Sequence, residues 1–146
     1  MALVDDCVFC RILKGEIPCC KVYEDDKVLA FLDIAPFNFG HTVIVPKEHN
    51  HSVTTLPEEY LSAMFVIAPK LAIAIMTATG AEGFNLVLNN GHVAGQVVPH
   101  AHLHILPRFA DDDVLITASS KAYKTPDDMY DMAEKIVAAF SKRNAQ

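Results

Sequence analysis

Apolar residues fall in short blocks divided by turn formers, and the blocks follow two different periods. Residues 21–23 and 28–32 flank the polar run Glu24-Asp-Asp-Lys27 and predict a β-hairpin. Pro36, Asn38 and Gly40 mark 33–40 as a loop. The β-branched stretch 41–45 predicts a strand closed by Pro46. Residues 84–88 predict a short strand, Asn89-Asn90-Gly91 a turn, and the alternating 100–106 a strand closed by Pro107. Thr55-Leu-Pro-Glu58 reads as a capping box. The helix behind it runs towards Gly80, with a kink expected at Pro69. Met129, Met132, Ala133, Ile136, Val137 and Phe140 recur at helical spacing and predict a last helix after Thr125-Pro126. Residues 7–17 predict a turn or a short helix ending near Gly15. Strands in meander-like order with two main helices imply an α+β fold on an antiparallel sheet.

Composition narrows the function. The chain has 146 residues, 51% of them hydrophobic, which excludes general disorder. No repeat or linker is visible, so one domain is expected over 1–146. Twelve Lys+Arg against eighteen Asp+Glu leave a net charge of −6, a poor balance for a nucleic-acid partner. One small phosphate ligand remains compatible. Residues 61–81 are apolar enough to raise a membrane span, but Lys70 beside Pro69 puts a charge at mid-span. A buried helix with no membrane partner is the expectation. The N-terminus lacks a basic region and a long apolar run, which predicts a cytoplasmic protein. Cys7, Cys10, Cys19 and Cys20 are then reduced thiols, suited to metal ligation or plain packing.

His100, His102 and His104 are the candidate chemistry. Seven histidines in 146 residues give about 0.016 His-x-His-x-His runs by chance. On a strand these three share one face, while Ala101, Leu103 and Ile105 point into a core. Two uses follow from the residues. Neighbouring imidazoles bind metals, although the outer pair, ~13 Å apart on a regular strand, is too far for one tetrahedral ion. Alternatively, a neutral imidazole whose second nitrogen is held as a donor is a nucleophile for phosphorus or carbonyl carbon. Asn89, Gly95 and Gln96 immediately before the strand offer uncharged donors for phosphate oxygens.

The run His100-Ala-His102-Leu-His104-Ile105-Leu106 resembles the signature of the histidine triad (HIT) family. The resemblance covers about 7–109 and includes Glu16-Ile17-Pro18, Asp33-Ile34, Gly40-His41, Pro46-Lys47-x-His49, Asn89, Gly95-Gln96 and Pro107-Arg108. The segment 110–146 with its helix, and the early Cys7-x-x-Cys10, look like the bacterial-type branch. The resemblance implies a five-stranded antiparallel sheet with two main helices, the sheet extended across a homodimer; the helix over 61–79 is more apolar than one small sheet requires, which fits a buried dimer interface. It implies a hydrolase or transferase acting at the α-phosphate of nucleotidyl substrates through a phosphohistidine, releasing a nucleoside monophosphate. It makes His102 the nucleophile, with His104 and His41 supporting phosphate and nucleophile. Asn89, Gly95, Gln96 and Val97 would surround the phosphates, and Asp33 would bind the ribose. Phe9, Ile12, Ile17 and Ile34 would form the slot for a base, a purine mildly preferred. Relatives with phosphoramidase activity often carry a serine at the place of Val97, so other nucleotidyl leaving groups come into view. Nothing implies an organic cofactor.

Cys7-x-x-Cys10 alone is a weak zinc signal, because no second pair follows. The resemblance completes it with His49 and His100, a closed Cys2His2 set for structural zinc; two reduced thiols beside a backbone-bound His49 are the alternative. Cys19, Cys20, His51 and His92 receive no role. Two other functions stay open: a nucleotide-binding module with negligible turnover, and a metal-dependent hydrolase.

Overall fold

The computed structural model describes residues 3–115 and 119–144, and the chain divides into two compact units, Met1–Val114 and Leu115–Gln146. The first unit runs α1 (Val8–Leu13), β1 (Lys21–Glu24), β2 (Val28–Leu32), β3 (Thr42–Pro46), α2 (Glu58–Thr79), β4 (Gly83–Val87) and β5 (Leu103–Arg108). All strand pairs are antiparallel, in the order β1-β2-β3-β5-β4. The five-stranded α+β architecture expected from the sequence is therefore present.

Strands β2 and β3 read as unbroken apolar runs because both of their faces are covered. Val28, Ala30, Ile44, Leu103 and Ile105 face α2, which presents Met64, Ala68, Leu71, Ala72 and Ile75. Leu29, Phe31, Val43 and Val45 face the other way, against Cys7, Phe9 and Cys10 of the α1 segment. The buried positions of α2 recur at helical spacing. The helix is long and apolar enough to cross a membrane by length and composition, yet its inward stripe packs on the sheet. It continues through Pro69 and stops at Gly80, whose φ of +78° closes it in the left-handed region.

Two expectations need correction. The capping box at Thr55 does not form: Thr55 Oγ1 bonds back to the Ser52 carbonyl, and Pro57 takes the cap position with no side-chain bond. The strand expected from His100 starts only at Leu103. His100 N–H bonds to Val98 and Ala101 N–H to Asn50, so this stretch pairs with loops and not with β3.

The second unit holds α3 (Pro126–Asn144). Here a reciprocal cap does form: Asp128 N–H donates to Thr125 Oγ1 and Thr125 N–H to the Asp128 carboxylate. Met129, Met132, Ile136, Val137 and Phe140 are exposed along one stripe of the helix.

Candidate active site

Because Leu103 and Ile105 point to α2, alternation along β5 sends His104 to the opposite face, and His102 just before the strand joins it there. On that face seven ring contacts link eight side chains in a row. Phe37 stacks on His41 at 5.5 Å, nearly parallel at 6°. His41 meets His104 at 5.1 Å, and His104 meets His102 at 4.8 Å. Phe9 sits edge-on between His102, at 5.0 Å, and His100, at 5.8 Å. His100 then touches His49 at 5.2 Å, and His49 touches His51 at 5.4 Å.

Backbone partners fix which nitrogen of each ring carries the proton. His102 Nδ1 lies 2.7 Å from the His100 carbonyl, which only accepts, so Nδ1 is the donor and Nε2 bears the lone pair. Phe37 N–H donates to His41 Nδ1 at 3.2 Å, so His41 carries its proton on Nε2. That Nε2–H donates to His104 Nδ1 at 2.9 Å, which leaves Nε2 of His104 as an outward N–H. The row thus presents a lone pair on His102 beside a donor on His104. Sequence reasoning missed Phe37; only the fold reveals that its backbone sets the tautomers of two histidines.

Burial keeps these imidazoles neutral. It lowers His41 and His102, and it pushes His104 down to about 4, with His102 and His41 adding to the effect. A group neutral in the fold but chargeable when unfolded contributes full stability above its ordinary value of 6.5, and loses it as pH falls towards about 4. Thermal stability is therefore expected to hold from pH 8 to 7 and to decline between pH 6.5 and 5. His104→Asn should flatten that decline; an unchanged slope in differential scanning fluorimetry would contradict it.

The 33–40 loop delivers a carboxylate to the same row. Asp33 Oδ1 accepts from Ala35 N–H at 2.9 Å, while Oδ2 stays free, 3.6 Å from His41 Nε2. Gly40 lets the loop close on α2: its φ is +97°, and a Cβ there would lie 2.8 Å from Thr79 Cγ2. Asn38 pins the loop to the Pro107 carbonyl and to Asp112, which is itself held by Arg108 at 2.8 and 2.9 Å. Asp33, His41 and His104 offer three ligand atoms within 4.8 Å. The two nitrogens, however, face each other across one proton at 2.9 Å, closer than the ~3.3 Å that two nitrogens keep on a tetrahedral zinc.

The other expected residues divide. Phe9 is buried against His102 and packs in the core, and Ile12 packs beside it. Ile17 is half-buried, whereas Ile34 is fully exposed. Asn89 makes one long bond to the Gly95 carbonyl, 3.5 Å, and keeps a free N–H. Gln96 does not point to the histidine row. Its Oε1 accepts from Gly91 N–H, and its Nε2 donates to the His51 and Val98 carbonyls. It braces the loop. Val97 is exposed, as are Cys19, Cys20, His51 and His92.

Cys7, Cys10, His49 and His100 converge, with all four ligand atoms within 4.8 Å. Cys7 Sγ is 3.4 Å and Cys10 Sγ 3.5 Å from His100 Nδ1, and Cys10 Sγ is 3.3 Å from His49 Nδ1. Ligands of a tetrahedral zinc lie about 3.3–3.8 Å apart, so the residues fit the ion. His100 Nε2–H donates to the Pro46 carbonyl at 3.0 Å, which turns the Nδ1 lone pair to the thiols. Burial pushes the Cys10 thiol up to about 11, and a bound dication would reverse that by taking the thiolate. His100 stays in the ring row between Phe9 and His49, and its bond to Pro46 aims Nδ1 at the thiols.

A family model, the HIT domain, matches residues 14–111. The chain belongs to the HIT family. Among its relatives is an adenylylsulfatase, HINT3, of Arabidopsis thaliana, 48% identical over 106 residues; the match covers 73% of this chain and 54% of that longer protein. An adenosine 5′-monophosphoramidase of Candida albicans is 41% identical over 113 residues, covering 74% of each chain. A crystallised protein of Streptococcus mutans UA159 superimposes with a TM-score of 0.89 at 41% identity, covering 94% of this HIT protein and 87% of its own chain. A zinc-bound histidine triad protein of Mycobacterium smegmatis gives 0.72 at 37% identity, covering 80% and 84%.

Proposed function

We propose that this HIT protein is a nucleotide hydrolase that cleaves nucleotidyl substrates at the α-phosphate through a phosphohistidine on His102. The observation that carries this is the 2.7 Å bond from His102 Nδ1–H to the His100 carbonyl, which exposes the Nε2 lone pair. Nε2 attacks α-phosphorus, the bond to the leaving group breaks, and the leaving group takes the electron pair. The His100 carbonyl then stabilises the positive charge on the ring. His104 Nε2–H donates to a non-bridging oxygen, and Asp33 Oδ2 accepts from a ribose hydroxyl. Water next displaces the imidazole, breaking the P–N bond, and the nucleoside monophosphate departs. The rate comes from positioning and fixed donors as much as from the nucleophile. The hydrolase names of two relatives support this reading.

Cys7, Cys10, His49 and His100 would hold zinc with no open position, so the ion would supply structure alone. Phe65, Val66 and Ile73 of α2 are exposed in a single chain, and β4 is an edge strand. Both features support a homodimer built over α2 and that edge.

The test is AMP release from adenosine 5′-phosphoramidate, adenosine 5′-phosphosulfate and bis(adenosine) tetraphosphate, with an acid quench to catch labelled protein. AMP release with a transient acid-labile label on the protein is expected. No AMP from any of the three, in folded protein that binds AMP, would leave the binding-module reading standing instead.

A further inference from the structure

The loops around residues 51–53 and 89–99 enclose an open pocket of about 380 Å³ at the His51 end of the row. It is a built recess. Asn90 Oδ1 accepts from Ser52 Oγ and Val53 N–H, each at 3.0 Å. Gln96 ties Gly91 to the His51 carbonyl at 2.8 and 2.7 Å. These bonds use up the polar groups of Asn90 Oδ1, Ser52 and Gln96. Among the described residues, the rings of His51 and His92 make no hydrogen bond, and both line the pocket. Its lining contains no carboxylate, although the chain carries a net charge of −6. A larger cleft, about 740 Å³, is lined by Glu82, Asp111 and Asp112 with no cation, and repels the same ligands.

The pocket lies on the side of the row away from Asp33. His51 is the end of the ring row opposite to Phe37 and Asp33, with His102 between. Val97 in the pocket wall is five residues from His102, at most about 17 Å of extended chain, and the bond from His100 N–H to Val98 shortens that path. Val97 has no proton to give. An amine must be protonated to leave phosphorus, whereas sulfate or an oligophosphate departs as the anion with the electron pair of the broken P–O bond.

Resting on the nucleotidyl-transfer reading, we infer that this pocket is a leaving-group subsite in which His51 and His92 receive a sulfate or phosphate oxyanion. The test uses the full zinc-loaded protein and three substrates that share AMP: the phosphosulfate, bis(adenosine) tetraphosphate and the phosphoramidate, whose ammonia is too small to fill the pocket. His92→Ala and the His51→Ala/His92→Ala pair are compared with the wild type by kcat/KM, with zinc content and Tm as controls. His92 lies outside the ring contacts of the zinc cluster, so its single variant keeps the test valid if the pair fails to fold. The loss on an oxyanion-leaving substrate is expected to exceed the loss on the phosphoramidate by about tenfold, the effect of removing a donor to a charged group. A loss on the phosphosulfate assigns the pocket to a short oxyanion. A loss confined to the tetraphosphate assigns it to a chain of phosphates. Equal losses on all three substrates, or none, overturn the subsite while leaving the nucleophile intact. A wild type that releases AMP from none of them overturns the parent reading and the subsite together.

Discussion

His102→Ala is expected to lower AMP release by about 10⁴-fold or more while leaving AMP affinity within a few-fold of the wild type. The affinity should survive because Asp33 Oδ2, the His104 N–H and the backbone amides near Gly95 do not depend on the lost ring. The rate should collapse because neither neighbouring imidazole has a lone pair to offer: His41 accepts from Phe37, and His104 accepts from His41. The acid-labile label should vanish with the ring. Added imidazole, which fits the space left beside Phe9, should restore a measurable fraction of turnover. Titration calorimetry with AMP beside a single-turnover assay separates the two effects, and circular dichroism confirms the fold. Loss of binding together with turnover in a folded variant would place His102 in recognition and deny it the attack.

Much of this was legible in the sequence, because period and turn chemistry are local. The hairpin, β3, the long helix and β4 follow from alternation, apolar spacing and the glycines that end them, each within about a turn. The two threonine caps show the limit. Thr125 and Asp128 formed the reciprocal bonds that their spacing promises, whereas Thr55 and Glu58 did not. The difference lies in competition: the Ser52 carbonyl offers Thr55 a nearer partner, and Pro57 at the cap position has no N–H to give. The histidine run shows the same limit more consequentially. Spacing placed three rings on one face, but Ala101 N–H found Asn50 and not β3. Residues 100–102 therefore stand outside the ladder, and His100 Nδ1 faces the thiols while His102 meets His104 and His104 meets His41. The resemblance already separated these roles, and the backbone supplies the physical reason. Gln96 and Phe37 were beyond reach for a related cause. Their contributions are made through backbone groups of loops that are distant in sequence.

Stripping the metal should cost stability first and rate second. The wild type is expected to bind about one zinc per chain, and removal by 1,10-phenanthroline, or by Cys10→Ala, should lower Tm by about 10 °C. The protein should stay folded, for two reasons. The core between the sheet and α2 contains none of the four ligands. Without the ion, neutral thiols still lie within hydrogen-bond reach of the two imidazoles. The rate should fall by less than about tenfold, through the links between the centres: His100 would supply a ligand nitrogen and supplies the carbonyl that orients His102, and Phe9 touches both rings. When His100 loosens, the lone pair on His102 wanders, but it is not lost. A catalytic metal would behave in the reverse order, with turnover abolished and Tm barely moved. Metal content by plasma mass spectrometry, with melting curves and AMP release on the same samples, distinguishes the two. Turnover lost at constant Tm would move the chemistry from the His102 lone pair to the ion.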